Sequence, residues 1–145
     1  MSEKRRETIV FVAILLADRL SKYLSCRYMH DGASIPIIPN IFHITLVRNT
    51  GAAFGILRGY ASIFIAITIV TIGLLVSYIK EKDVNRLPFI LILAGAVGNL
   101  IDRFSFGYVI DFIDLRVWPV FNISDAVITI GAVLLAFRMF RRKKI

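Results

Sequence analysis

The sequence predicts a mainly α-helical integral membrane protein, with four transmembrane helices and a small extracytoplasmic β-sheet. Of its 145 residues, 57% are hydrophobic and 19% are charged, and the mean hydropathy is +0.74. A soluble domain of this length needs a polar exterior, and this composition leaves too few polar residues to make one. Several apolar runs also reach the roughly 20 residues that a helix needs to cross a bilayer.

Four windows have the length and composition of spans, and together they predict a single membrane domain over residues 1–145. The first covers about residues 8–25 and is free of charge through Ala17. The second covers about residues 60–79 and contains no charged residue. The third, about residues 87–104, starts beside Pro88, which the first turn of a helix tolerates. The fourth covers about residues 121–140 and carries Asp125 in its first turn.

The segment between the first two spans, about residues 27–57, predicts strands. Residues 35–38 and 41–47 are short runs rich in β-branched and aromatic residues, and prolines at 36 and 39 interrupt them. Such runs are typical of short strands. We predict a small sheet on the outer membrane surface that leads Asn49 toward the other polar residues; the alternative is a connecting loop without a catalytic part.

The distribution of Lys and Arg predicts the orientation, because short basic loops stay in the cytoplasm. Of the 18 basic residues, 11 lie before the first span, between the second and third, or from the end of the fourth onward. They are Lys4, Arg5, Arg6, Lys80, Lys82, Arg86, Arg138, Arg141, Arg142, Lys143 and Lys144. Both termini are therefore predicted to be cytoplasmic. The net charge of +8 is mostly a topology signal, and no nucleic-acid partner is predicted, since the sequence has no basic groove with interleaved aromatic residues.

The N-terminal segment also has the basic start and apolar run of a cleaved signal peptide. However, the charged residues at 18, 19 and 22 lie where a small-residue cleavage site would be needed. The same charges weaken the similarity of residues 24–26 (LSC) to a lipoprotein attachment site. We therefore predict that the first span is not cleaved.

With this topology, the strongly polar residues at membrane depth all fall toward the outer leaflet. They are Asp18 and Lys22 in the first span, Asn99, Asp102 and Arg103 in the third, Asn122 and Asp125 in the fourth, and Arg48, Asn49, Asp111, Asp114 and Arg116 in the outer loops. Ionisable groups in hydrocarbon cost several kcal/mol, so they indicate a functional site. Each pair also has a purely structural explanation, such as an ion pair on a helix surface or an N-cap. For this explanation to hold throughout, four unrelated structural features would all have to lie by chance at the same face of the membrane.

The residue types available restrict the chemistry of such a site. The two histidines are 13 residues apart, the sequence lacks the HExxH and GxSxG patterns, and it has one cysteine. We therefore predict no metal and no cofactor. Two aspartates close together in a low-dielectric pocket can share one proton and activate water, as in aspartic peptidases. Asp111 and Asp125 are the candidates, and spacing alone leaves Asp102 and Asp114 as rivals.

Five blocks, in this order, resemble the motifs of the lipoprotein signal peptidases, also called signal peptidase II. They are residues 18–22 (DRLSK), 49–54 (NTGAAF), 95–103 (GAVGNLIDR), 107–112 (GYVIDF) and 119–125 (PVFNISD). The resemblance covers nearly the whole chain, and the blocks together are highly specific. Ala94, where the family usually has glycine, and Ser124, where it commonly has alanine, depart from the pattern without changing a charge.

The resemblance implies a role for each matching residue. Asp111 and Asp125 would be the catalytic pair. Asn49, Gly51, Asn99, Arg103 and Asn122 would line the site and bind substrate, and Asp18, Lys22 and Asp102 would support it.

The resemblance also implies the substrate, the cofactor requirement and the location. The substrate would be a diacylglyceryl-modified prolipoprotein, cleaved just before its lipid-bearing cysteine without a metal and inhibited by globomycin. The protein would be a monomer in contact with membrane lipids in the bacterial inner membrane, with its active site at the extracytoplasmic face. The alternative from another class is a non-enzymatic membrane subunit or an ion-coupled transporter, which would distribute ionisable groups along the membrane depth.

Overall fold

The computed structural model describes residues 2–51, 61–81 and 85–142. They form the helices α1 (Glu3–Tyr28), α2 (Ala61–Glu81), α3 (Leu87–Phe106) and α4 (Ile123–Arg142), and the strands β1 (Ser34–Ile38), β2 (Phe42–Asn49) and β3 (Val109–Asp114). Several positions used above lie outside the described residues: 52–57 of the outer segment, residue 60 of the second window, Lys82, Lys143 and Lys144.

Three of the helices have the length and apolarity to cross a membrane. The spans are Ser62–Lys80, Leu87–Phe106 and Ile123–Arg141, with mean hydropathies of 2.4, 1.6 and 1.8. None of the apolar window in α2 is buried inside the protein, whereas 39% of the window in α3 is. Because α2 is apolar all round and exposed, its surroundings must be apolar too.

Local sequence explains where α1 and α3 begin and end. The Ser2 hydroxyl accepts the backbone N–H of Arg5 at 3.4 Å and caps α1. α3 has a proline in its first turn and ends at Gly107, whose φ of 77° lies in the left-handed region that glycine adopts without steric cost. The chain can therefore leave α3 sharply and enter β3 two residues later.

α3 is the central helix and packs against each of the other three. Its inward face consists of small residues, since Ala94, Gly95, Ala96 and Gly98 are all buried. A Cβ at Gly95 would lie 3.0 Å from Val127 Cγ2 on α4, and one at Gly98 would lie 2.9 Å from Asp18 Oδ2 on α1. Small residues thus allow the three backbones to approach closely, as in other membrane helix bundles.

The sheet has three antiparallel strands in the order β1-β2-β3. The first two were predicted within the outer segment, but β3 was not, because residues 109–114 were interpreted as loop. This interpretation was wrong: β3 pairs with β2 in a register that places Val47 opposite Asp111 and Asn49 opposite Val109. Val109, Ile110 and Phe112 are buried, so β3 joins the sheet to the helices.

Candidate active site

Asp111 and Asp125 come together at the end of the bundle where β3 meets the start of α4. Asp111 is 1% exposed, and Asp125 is half-buried in the first turn of α4. Asn122, immediately before α4, contacts both. Its Nδ2 donates to Asp111 Oδ1 at 2.7 Å, and its backbone N–H donates to Asp125 Oδ2 at 3.2 Å. Its own Oδ1 accepts the backbone N–H of Asp125 at 2.9 Å, so the helix cap also fixes the position of the carboxylate.

Asn99 of α3 supplies a second donor to Asp125. Its Nδ2 donates to Asp125 Oδ1 at 2.7 Å. Its Oδ1 accepts two hydrogen bonds, from Asn122 Nδ2 at 3.1 Å and from Lys22 Nζ at 3.2 Å. Both oxygens of the Asp125 carboxyl group are therefore held by N–H donors from buried residues.

Asn49 holds the other side of Asp111. Its Nδ2 donates to Asp111 Oδ2 at 2.9 Å, and its Oδ1 accepts the backbone N–H of Gly51 at 3.0 Å. Gly51 in turn accepts a weak hydrogen bond from Arg103 Nη2 at 3.4 Å. The Arg103 guanidinium also lies 5.1 Å from the ring centroid of Phe64, a cation–π contact. The end of β2 is thus attached to both β3 and α3.

These side chains border an open cavity of about 250 Å³. Its polar lining consists of Asn49, Asn99, Arg103, Asp111 and Asp125, together with Gly51. The rest of its lining is largely apolar and comes from residues 118–121 with Val109, Ile128 and Thr129. A lining that combines two carboxyl groups with apolar residues suits a substrate that has a peptide bond next to an apolar group.

The pKa of Asp111 is raised to about 7, first by burial and then by the negative charge of Asp125. Hydrogen bonds from Asn49 and Asn122 oppose this increase, because they favour the ionised carboxylate. Near neutral pH the Asp111 carboxyl group is therefore protonated in a large fraction of molecules.

Four buried or partly buried charges form a separate cluster behind the carboxyl pair; we call it the ion quartet. It consists of Asp18, Arg19, Lys22 and Asp102. Arg19 contacts Asp18 and Asp102 at 2.7 Å each, and Lys22 contacts the same two at 3.0 and 2.8 Å. Two positive and two negative charges balance, which is the condition for burying them.

Sequence reasoning missed Arg19 as a site residue, although it lies in the DRLSK block. It also donates to the Gly98 carbonyl at 3.1 Å and so connects α1 directly to α3. Its position one residue after Asp18 gave no indication of this contact, because neighbouring residues in a helix point in different directions.

The rival carboxylates have other partners. Asp102 is fully buried in the ion quartet, and its Oδ2 accepts the backbone N–H of Ile110 at 3.2 Å. Asp114 accepts from the Thr45 hydroxyl at 2.8 Å and from the Arg116 backbone N–H at 2.8 Å. Since Asp111 and Asp114 are three residues apart on β3, their side chains lie on opposite faces of the strand.

Within the ranges that the structure describes, no three His, Cys, Asp or Glu side chains form a group that could hold a metal ion. The fold and site together define a helical membrane protein with two carboxyl groups linked by asparagines. Aspartic hydrolysis uses a pair of carboxyl groups, so this pair is the candidate for such chemistry.

Comparison with known proteins gives the family. A family model described as signal peptidase (SPase) II matches residues 10–141. The lipoprotein signal peptidase of Halothermothrix orenii is 46% identical over 140 residues, covering 94% of this chain and 97% of the relative. That of Caldanaerobacter subterraneus is 45% identical over 136 residues, covering 90% and 94%. The chain therefore belongs to the signal peptidase II family.

Solved structures agree with this result. One described as "Bacterial membrane enzyme structure by the in meso method at 2.3 A resolution" has a TM-score of 0.90 and 36% identity, covering 95% of this chain and 89% of the other. A second, described in the same words at 1.9 Å, has a TM-score of 0.84 and 37% identity, with 92% of each chain covered. The fold of this chain is thus that of known bacterial membrane enzymes.

Proposed function

We propose that Asp111 and Asp125 are the catalytic pair with which this chain cleaves signal peptides from prolipoproteins. As a member of the signal peptidase II family, the chain is an aspartic endopeptidase that processes lipoprotein precursors. The assignment of the two aspartates rests on the site itself. The observation that carries it is the bridge through Asn122, whose amide and backbone N–H groups contact both carboxyl groups at 2.7 and 3.2 Å.

The protonation states of the two aspartates support different roles for them, one as proton donor and the other as proton acceptor. With its pKa raised to about 7, Asp111 holds a proton over part of the neutral range. Its partner Asp125 also has an N–H donor at each oxygen but is only half-buried, so it is the better suited of the two to carry the negative charge. A pair with one proton is the form that aspartic hydrolysis uses.

In the proposed reaction, a water molecule lies between the pair and the scissile carbonyl. The ionised carboxylate takes a proton from the water as its oxygen attacks the carbonyl carbon, and the protonated carboxyl donates its proton to the carbonyl oxygen. The tetrahedral intermediate then breaks its C–N bond, and the leaving amine takes the proton that was removed from water. As this bond breaks, a hydroxyl group of the intermediate returns a proton to the other carboxylate, which restores the original protonation state. The products are the signal peptide, which ends in a new carboxylic acid, and the lipoprotein, which begins with the amino group of its lipid-bearing cysteine.

The remaining polar residues are assigned by their contacts. Asn49, Gly51 and Arg103 border the cavity and bind the substrate backbone near Asp111. Asn99 and Asn122 hold the carboxyl groups, and Asp18, Lys22 and Asp102 support them from behind. The apolar lining at residues 118–121 lies beside the diacylglyceryl-modified cysteine, just before which the bond is cut.

We propose a single membrane domain over residues 1–145, with α1 as a fourth span in the bacterial inner membrane. α1 has 26 residues, enough to cross, and its charges at 18, 19 and 22 are paired with one another and with Asp102. Both termini are then cytoplasmic and the site faces outward, where lipidated precursors are held by their acyl chains. The chain acts as a monomer among membrane lipids and is inhibited by globomycin.

Two substitutions test the catalytic pair directly. We expect Asp111→Asn and Asp125→Asn each to reduce cleavage of a diacylglyceryl-modified precursor by about 1,000-fold or more, because neither proton transfer can then be completed. Purified variants in detergent or nanodiscs would be assayed with the modified precursor, its unmodified counterpart, and globomycin.

Asp114→Asn is the matched control, since it removes a charge three residues away on the opposite face of β3. It should retain turnover within about three-fold of the unsubstituted protein, because Asp114 and its partners Thr45 and Arg116 do not line the cavity. Full activity in either catalytic variant removes that residue from the mechanism. Cleavage of the unmodified precursor at the same rate contradicts the proposed substrate.

A further inference from the structure

Lys22 is a cation in an unusual position. It is 1% exposed, and its ammonium group has three N–H donors. Each donor has one acceptor: Asp18 Oδ2 at 3.0 Å, Asp102 Oδ2 at 2.8 Å and Asn99 Oδ1 at 3.2 Å. The first two contacts lie inside the ion quartet, whereas the third leads to the proposed catalytic pair.

The Lys22 contact fixes which way the Asn99 amide points. Asn99 Oδ1 accepts from both Lys22 Nζ and Asn122 Nδ2, at 3.2 and 3.1 Å. A flipped amide would direct its own N–H groups at these two donors and its oxygen at the Asp125 carboxylate, which is unfavourable on every side. With the amide held, Nδ2 must donate to Asp125 Oδ1, as it does at 2.7 Å.

We infer that Lys22 is a positioning residue for catalysis, which acts through Asn99 to keep the catalytic pair correctly oriented and singly protonated. This inference rests on the proposed role of Asp111 and Asp125. The two cations of the ion quartet therefore differ in role. Among the described residues, Arg19 contacts only Asp18, Asp102 and the Gly98 carbonyl, whereas Lys22 also contacts Asn99 of the active site.

The positive charge of Lys22 lowers the pKa of Asp111. Three charged groups influence this carboxyl group from the helices packed around it: Asp125 of α4, Lys22 of α1 and Arg103 of α3. Asp125 raises the pKa of Asp111 and Lys22 lowers it. Removal of the Lys22 charge must therefore move the loss of the Asp111 proton to higher pH.

Charge-balanced double variants test this inference without leaving an unpaired buried charge. Lys22→Met with Asp102→Asn removes the half of the quartet that reaches Asn99. Arg19→Met with Asp18→Asn removes the other half and leaves the contact between Lys22 and Asn99 intact. For each, kcat and KM for a lipidated precursor would be measured from pH 5 to 9, together with the thermal midpoint in detergent.

We expect the first double variant to lose about ten-fold or more in kcat with little change in KM, because the orientation of Asn99 is no longer fixed. The basic limb of its pH profile should move up by roughly 0.5 pH unit or more. The second double variant should keep the basic limb of the unsubstituted protein, whatever its thermal midpoint. Lys22→Gln with Asp102→Asn keeps an N–H donor at position 22, so it should recover part of kcat but show the same pH shift. If the Lys22→Met double variant does not accumulate in cells, the Lys22→Gln double variant is tested in its place.

The inference would be overturned if the basic limb of the pH profile moved equally in the Lys22 and Arg19 double variants. It would also be overturned if the basic limb did not move in the Lys22 double variants. These outcomes are distinguishable from failure of the proposed function. If Asp111→Asn or Asp125→Asn stays active, the catalytic pair itself is wrong. If both are inactive and the Lys22 variants keep the original profile, only the role of Lys22 is wrong.

Discussion

Three asparagines determine how the carboxyl groups are held. Asn49 and Asn122 donate to Asp111, and Asn99 and Asn122 donate to the partner carboxylate. Asparagine provides N–H donors without a formal charge, so these contacts orient a carboxyl group without the strong stabilisation of its ionised form that a lysine or arginine contact would give. The pKa of Asp111 can consequently remain near 7 despite two hydrogen bonds.

Asn49→Ala tests this balance at the residue scale. Its hydrogen bond lowers the pKa of Asp111, so its removal should raise that pKa above 7 and move the basic limb of the kcat/KM profile to higher pH. A hydrogen bond to a charged group contributes about 1.5–3 kcal/mol, but Asn49 is half-buried and water replaces part of it, so we expect a shift of up to about one pH unit.

Arg48→Gln is the control for this prediction. Arg48 precedes Asn49 on β2, its side chain is 53% exposed, and it pairs with Asp31 at 3.7 Å. The basic limb of this variant should coincide with that of the unsubstituted protein. A downward shift in Asn49→Ala would show that the amide stabilises the protonated form instead.

At the scale of elements, the central helix α3 depends on its small residues. Gly98 faces both α1 and α4, and a Cβ there would meet the Ser124 hydroxyl and Asp18 Oδ2. The Ser124 backbone N–H also donates to Asp18 Oδ1 at 3.1 Å, so the three helices meet at this point. A side chain at position 98 would separate the elements that carry the active site.

We therefore expect Gly98→Ala to destabilise the protein by about 1–3 kcal/mol through overpacking. Gly73→Ala on α2 is the matched control, because a Cβ there has no heavy atom within 4 Å and alanine is the better helix former. Thermal midpoints in the same detergent would be compared. A midpoint for Gly98→Ala equal to that of Gly73→Ala would mean that the helices can adjust to a Cβ at position 98 without loss of stability.

Elements differ in how well their own sequence predicts them. The helices follow from apolar runs, and β1 and β2 follow from proline-bounded β-branched runs. β3 is only six residues long, and its burial pattern lacks the alternation of a half-exposed strand, since five of its six residues are buried. Its strand conformation depends on long-range pairing with β2 and on the Asp102 carboxylate of α3, which accepts the Ile110 N–H eight positions away.

At the scale of the whole molecule, the charges separate by location. The ion quartet, Asp111 and Asp125 lie in the half of the bundle next to the sheet. The described basic residues that predict the cytoplasmic side lie at the opposite helix ends; they are Lys4, Arg5, Arg6, Lys80, Arg86, Arg138, Arg141 and Arg142. This separation predicts a topology in which the sheet faces outward and the segment between α2 and α3 faces the cytoplasm.

Thiol labelling tests that topology. In a Cys26→Ser background, which removes the single cysteine, Asp31→Cys and Lys80→Cys place one exposed thiol at each predicted side. A membrane-impermeant maleimide applied to intact spheroplasts should label position 31 and not position 80, and permeabilised cells should show both. The reverse pattern would invert the orientation, and labelling of both in intact cells would contradict opposite sides.

The sequence by itself determined the membrane class, the helices, two of the three strands and the set of polar residues, because these depend on composition, local periodicity and motif order. Residue spacing left Asp102 and Asp114 as rivals, and the family resemblance selected Asp111 and Asp125. Only the tertiary structure showed the contacts that separate them: Asp102 pairs within the ion quartet, Asp114 lies on the opposite face of β3, and Asp111 shares Asn122 with Asp125. It also revealed Arg19 and the link from Lys22 to Asn99. The contact between Lys22 and Asn99 spans 77 positions, and no local pattern encodes a hydrogen bond over that separation.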